Sequence, residues 1–170
     1  MEITLTRLST REEAAILDQA FSAIYPWYSS SDYYMKCLGE NQEGKRVTLI
    51  AYYGKELAGC CHLLYNSAYP DFNRNQIPEI NDLNVFPAYR RKGIAHAMFD
   101  ELEATAAKTG NKIGLGVGLY KDYGNAQRMY TTRGYMLDGN GIRYGNEEVK
   151  PGATVTVDDD LLLYLVKTLG

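Results

Sequence analysis

Ile3 and Leu5 alternate with polar residues, a period of two that predicts a first strand ending near Arg7. Thr10 followed three residues on by Glu13 is a capping-box pattern, so a helix is expected over about 11–22. Pro26 breaks the chain, and 32–38 has the spacing of a second short helix. The runs 47–53 and 57–65, joined at Gly54-Lys55, predict a hairpin. Asn- and Pro-rich 66–78 reads as a loop, long enough to suggest a function. A strand over 79–85 stops at Pro87. A long amphipathic helix should then run from Gly93 to about Thr109, with Ala95, Met98, Phe99, Leu102 and Ala106 on one face and Gly110-Asn111 as its stop. A strand at 113–117, a short helix at 125–132 closed by Gly134 and a last strand at 161–167 complete the pattern. The stretch 138–152 fits either a hairpin or an irregular excursion.

The strand–helix–strand unit from 79 to 117 implies a parallel pair, and the hairpin before it implies antiparallel neighbours. The expected fold is therefore α/β with a mixed sheet. A chain of 170 residues with 45% hydrophobic and 23% charged residues fits one soluble domain spanning 1–170. A net charge of −3 argues against nucleic-acid binding. The longest strongly apolar run, Leu161 to Val166, is far short of the roughly 20 residues a membrane helix needs. The acidic opening without an apolar core segment argues against a secretory signal. Cys37, Cys60 and Cys61 give no disulfide framework, and adjacent Cys60-Cys61-His62 lacks the separated ligand pairs of a zinc site, so no metal and a reducing, cytoplasmic setting are expected.

Candidate chemistry concentrates in Leu83-Asn84-Val85-Phe-Pro-Ala-Tyr-Arg90-Arg91-Lys92-Gly93-Ile94-Ala95. A strand ends, three cations follow, and a glycine opens a helix. Backbone N–H groups at a helix start are unpaired and partly positive, glycine admits close approach, and flanking cations add charge; these are the makings of a phosphate cradle. The same letters also describe a helix start beside a solvated charge cluster.

Arg90-x-x-Gly93-x-Ala95 resembles the Gln/Arg-x-x-Gly-x-Gly/Ala signature of the GCN5-related N-acetyltransferase (GNAT) superfamily. Asp82 to Pro87 resembles that family's fourth strand. Ala126-Gln-Arg-Met-Tyr130 with Gly134-Tyr135 resembles its later motif, in the right order. The resemblance implies a mixed, mostly antiparallel sheet flanked by helices, with splayed central parallel strands, and acetyl transfer from acetyl-CoA to an amine. It further implies a pyrophosphate held by the backbone of Arg90, Arg91, Lys92, Gly93, Ile94, Ala95 and His96. The pantetheine arm would run beside Leu83, Asn84 and Val85, with Tyr123, Ala126 and Tyr130 completing the cofactor site. Gly114, Gly116 and Gly118 alternate along one strand and leave room on one face for a close neighbour, with pantetheine as a candidate.

Tyr130 matches the tyrosine that in many members faces the departing sulfur, where a phenol can donate to a developing thiolate. Deprotonation of the attacking amine calls for a base. Glu79 lies eleven residues before Arg90, the spacing of the general-base glutamate in the histone-acetylating branch, and Asp82 is the other candidate. Their opposite parity lets only one face the cleft of a regular strand, unless a bulge intervenes. One departure is Tyr123, which stands where members often have asparagine. The implied acceptor is the primary amine of a small molecule, or alternatively a peptide; a CoA-binding module without turnover is the non-enzymatic reading. The chain would act as a monomer or homodimer.

Overall fold

A computed structural model describes residues 1–170. The chain forms two compact units: 1–64 with 82–102, and 65–81 with 103–170.

The first unit opens with β1 (Ile3–Arg7), α1 (Arg11–Ile24), α2 (Tyr33–Gln42), β2 (Arg46–Tyr53) and β3 (Glu56–Leu64). The capping box forms as the spacing predicts: Glu13 N–H donates to Thr10 Oγ1 at 3.1 Å, and Thr10 N–H to Glu13 Oε2 at 3.0 Å. The second helix runs four residues past its expected end. It stops where Gly44 turns left-handed at φ 74°, with Gly44 N–H bonded to Asn41 O and Lys45 N–H to Glu40 O, a Schellman arrangement. Antiparallel β1–β2 and β2–β3 ladders follow, the latter turning at Gly54 (φ 63°). Leu17, Phe21, Tyr34, Cys37, Ile50, Cys60 and Phe86 form this unit's core, where α1 and α2 pack on the sheet. Neighbouring Cys60 and Cys61 are both buried, because the middle of β3 is covered on both faces.

β4 (Glu79–Val85) belongs to both units: Asp82–Val85 to the first, Glu79–Asn81 to the second. The same holds for α4 (Ile94–Ala107), which begins one residue after Gly93. Its buried apolar residues are Ile94, Met98, Phe99, Leu102 and Ala106, whereas Ala95, expected on that face, is half-exposed.

In the second unit, Glu79 and Ile80 pair in parallel with Gly114 and Leu115 of β5 (Lys112–Gly118). β5 pairs along its whole length, antiparallel, with β9 (Leu161–Thr168). The other edge of β9 carries β6 (Met136–Leu137) and β7 (Arg143–Tyr144). β7 turns into β8 (Glu147–Glu148) through Gly145 and Asn146, both at positive φ, as a two-residue hairpin of this hand requires. The ambiguous 138–152 stretch is thus a hairpin in part. Segment 66–78 is not a plain loop: it holds α3 (Pro70–Arg74), whose Phe72 is buried with Tyr69, Ile77 and Tyr164. Last comes α5 (Gly124–Thr132). The sheet is mixed and mostly antiparallel, with one parallel contact where the crossover predicts it.

Candidate active site

The basic loop of the first unit has the geometry of a cradle. Arg91 and Gly93 both take positive φ, 63° and 83°, which turns the chain sharply into α4. Gly93 O accepts from Ala97 N–H at 3.0 Å, closing the first helical turn. The N–H groups of Ile94 and Ala95 therefore have no acceptor within the helix. A Cβ built on Gly93 would meet only Ile3 Cδ1, at 3.9 Å, so the space over the glycine is open. Arg90 Nε donates to Val85 O at 3.2 Å and ties the loop to the strand before it. Lys92 Nζ stands 5.1 Å from the Tyr53 ring centroid, and Arg90, Arg91 and His96 are exposed. The Ile94 side chain points into the core, so its contribution to a ligand is limited to its backbone.

β4 changes character along its length. Glu79 and Ile80 are buried, whereas Leu83, Asn84 and Val85 are half-exposed. Between them Asp82 has φ 49°, a left-handed conformation rare outside glycine, so the alternation of a regular strand does not carry through this point. The Asp82 carboxylate is exposed and accepts from Tyr33 Oη at 3.3 Å; burial, with the Asp82 charge adding to it, pushes the Tyr33 phenol up.

Glu79 lies in the second unit and is 7% exposed. Ser67 Oγ donates to its Oε1 at 2.6 Å and Asn81 Nδ2 to its Oε2 at 2.9 Å. Tyr130 is buried on α5, its ring 6.3 Å from that of Tyr135, and half-buried Ala126 lies one turn earlier. Tyr123 directs its hydroxyl to Asp159 Oδ1 at 2.7 Å, and burial, then that bond, pushes its phenol up. The fold thus gathers Asp82–Val85 and Arg90–His96 in one unit, and Glu79, Tyr123, Ala126 and Tyr130 in the other.

The room beside the three glycines is filled by protein. A Cβ on Gly114 would run into the Phe72 ring, on Gly116 into Tyr164, and on Gly118 into Tyr123. The close neighbours of that face are aromatic rings, which corrects the expectation of pantetheine there. Ser67, Asn81 and Tyr33, which hold the two candidate carboxylates, were not identified from sequence. Asn81 shares the parity of Glu79 and was open to that inference; Ser67 carried no local signal. No group of three or more His, Cys, Asp or Glu side chains is placed to hold a metal ion.

A model of the Acetyltransferase (GNAT) family matches residues 12–135. A comparison with curated proteins gives no match. Among solved structures, the acetyltransferase of the GNAT family from Streptococcus pneumoniae aligns with TM-score 0.70 at 15% identity, over 99% of this chain and 100% of that one. Arabidopsis thaliana NAA60 in complex with a bisubstrate analogue aligns with TM-score 0.69 at 18% identity, over 99% and 100%; its complex with acetyl-CoA gives 0.68 at 17%, over 98% of each. A chimera of the Vibrio cholerae spermidine N-acetyltransferase SpeG and hSSAT gives 0.69 at 14%, over 99% and 96%. Identities this low speak to the fold.

Proposed function

The chain belongs to the GNAT acetyltransferase family, and on that premise we propose that it moves an acetyl group from acetyl-CoA to the primary amine of a small molecule. The observation that carries the reading is the helix start at Gly93, with open space above the glycine, helix-start N–H groups at Ile94 and Ala95, and three cations before it. That is a site for the pyrophosphate of CoA. The pantetheine arm would follow the half-exposed Leu83–Val85.

The amine nitrogen attacks the thioester carbonyl directly. A C–N bond forms, the C–S bond breaks, one proton leaves the nitrogen and one is supplied to the departing sulfur. Glu79 is the base of this reading and Tyr130 the donor to the thiolate. A covalent acyl-cysteine has no support, since Cys37, Cys60 and Cys61 are buried and burial pushes each thiol up, away from the reactive thiolate. Those three free thiols favour a reducing, cytoplasmic setting. No helix is long and apolar enough to cross a membrane.

SpeG acts on spermidine, a small amine, which lends weight to that acceptor class. The test is release of CoA thiol from acetyl-CoA against a panel of small amines, polyamines and peptides. Turnover is expected with the small amines. Turnover confined to peptides would move the acceptor to that class. Tight CoA binding with no turnover on any amine would make the chain a binding module.

A further inference from the structure

Glu79 is the one candidate whose carboxylate is gripped at both oxygens, and the grip is directional. Ser67 Oγ accepts the Tyr69 backbone N–H at 3.0 Å. With that donor on one side, its single proton points to Glu79 Oε1, 2.6 Å away, where a carboxylate can only accept. Asn81 Nδ2 supplies the second donor, to Oε2 at 2.9 Å, from two residues along the same strand. Ser67 is itself fixed, being 2% exposed and followed by a buried aromatic anchor. The Tyr69 ring stacks on Tyr164 at 3.8 Å between centroids, and Phe72 packs edge-on against both. Phe72 lies over Gly114, the residue paired with Glu79 across the parallel ladder. A side chain at Gly114 would evict that ring and loosen the segment that carries Ser67.

We infer that Ser67 is a positioning residue for the reaction: its hydroxyl, steered by Tyr69 N–H and assisted by Asn81, orients the Glu79 carboxylate and holds it ionised. The inference rests on the reading of Glu79 as the base. Hydrogen bonds to the charged form of a carboxylate favour that form, while burial opposes it. Among the titratable and charged groups around it, Tyr164 on β9 feels the Glu79 charge. Behind Tyr164 stand Tyr69, Asp138 and the Arg143 guanidinium, which lies 5.6 Å from the Tyr69 ring centroid. Tyr69 is pushed up to about 12 by burial and by its hydrogen bond to Asp138, and burial with the Glu79 charge pushes Tyr164 up. Both phenols stay protonated through the carboxylate range, and Ser67 and Asn81 each donate to a Glu79 oxygen.

The experiment reads Glu79 without an acceptor. Protein labelled with 13C at glutamate carboxyl groups is titrated by NMR with CoA bound, and the Glu79 signal is assigned by its loss in Glu79→Gln. Ser67→Ala should raise the Glu79 midpoint by about one pH unit. Asn81→Asp, nearly isosteric, replaces a donor by a second carboxylate and should raise the upper step of the pair further. The acid limb of kcat/KM, measured with whichever amine turns over, should move up with the midpoint. A lower melting temperature with an unmoved midpoint would mean that Ser67 only holds the segment together, and overturns the inference. If Ser67→Ala does not fold, Asn81→Asp decides: a shift upholds the inference and none overturns it. If the midpoints move as expected but Glu79→Gln keeps the wild-type pH–rate profile, the base assignment fails and the catalytic role of Ser67 with it. Absence of turnover in the wild type would instead fail the acetyltransferase reading, which the amine panel tests separately.

Discussion

Gly93→Ala separates the cradle from the fold that carries it. At φ 83° an alanine pays for a left-handed backbone, about 1 kcal/mol. It meets no other obstacle, since its Cβ would come no closer than 3.9 Å to Ile3 Cδ1. For a chain of 170 residues that cost lowers the melting temperature by roughly 2–4 °C. Gly44→Ala is the matched control: its φ is 74°, no atom lies within 4 Å of the added methyl, and it sits in the turn after α2. The two variants should melt alike and bind CoA differently. If the pyrophosphate lies over Gly93, a methyl there displaces it from the helix-start N–H groups. Affinity should then fall at least tenfold, about 1.4 kcal/mol, with Gly44→Ala at the wild-type value. Gly93→Glu adds a negative charge and should bind more weakly still, with the excess shrinking as salt is raised. Calorimetric titration of CoA at fixed ionic strength, with thermal melts on the same samples, measures both quantities. A folded Gly93→Ala that melts lower and binds CoA like the wild type would remove the pyrophosphate from this loop.

Tyr130→Phe keeps the buried ring and removes only the hydroxyl; kcat should drop by roughly 10- to 1,000-fold with acetyl-CoA affinity little changed, and a wild-type rate with chemistry shown to be limiting would leave Tyr130 a packing residue. His62 is buried, its Nδ1 2.8 Å from Thr48 Oγ1, and burial with the Arg46 charge pushes it down to about 3. The unfolded chain takes up this proton near pH 6.5 and the folded chain does not, so stability falls on acidification by about 1.4 kcal/mol per pH unit between those values. Urea unfolding should show His62→Gln losing about 2 kcal/mol less than wild type between pH 7 and pH 5, and equal losses would refute the assignment. Glu103 accepts from Arg133 Nη2, Tyr135 Oη and Lys167 Nζ, each at 3.0 Å, in a partly buried network. Glu103→Ala should destabilise by about 2–3 kcal/mol, a melting shift of roughly 4 °C or more, and a shift under about 2 °C would show the network to be dispensable.

What sequence reading reached here is what local chemistry decides. The Thr10–Glu13 box, the bounds of the Glu79–Val85 strand and the glycine before α4 are each written within a few residues of where they act. Aromatic burial is not. Segment 66–78 looked like a loop because its polar letters outnumber Tyr69, Phe72 and Ile77, and those three are buried by Tyr164, far along the chain. The glycines of β5 announced that something lies close, yet Phe72, Tyr164 and Tyr123 come from three separate segments, and no periodicity links them. The Gly145-Asn146 turn had a readable signal, but it joins strands of two residues each, too short to show a period.

The same limit bears on the base. Strand parity set Glu79 against Asp82, as though one face of a regular strand had to choose between them. The positive φ at Asp82 ends that regularity, so parity cannot make the choice, and it passes to the surroundings of each carboxylate. Asp82 is exposed with a single phenol at 3.3 Å, and water competes for its oxygens. Glu79 is buried, where water does not compete and an amine proton would be more strongly attracted, and it is held by two donors on opposite oxygens. On the reading proposed above, burial strengthens Glu79 as a base, while its two donors set the orientation of the carboxylate. Glu79→Gln should therefore slow the reaction most at low pH and recover as free amine accumulates, while Asp82→Asn keeps the wild-type pH dependence. The reverse pattern would transfer the role to Asp82.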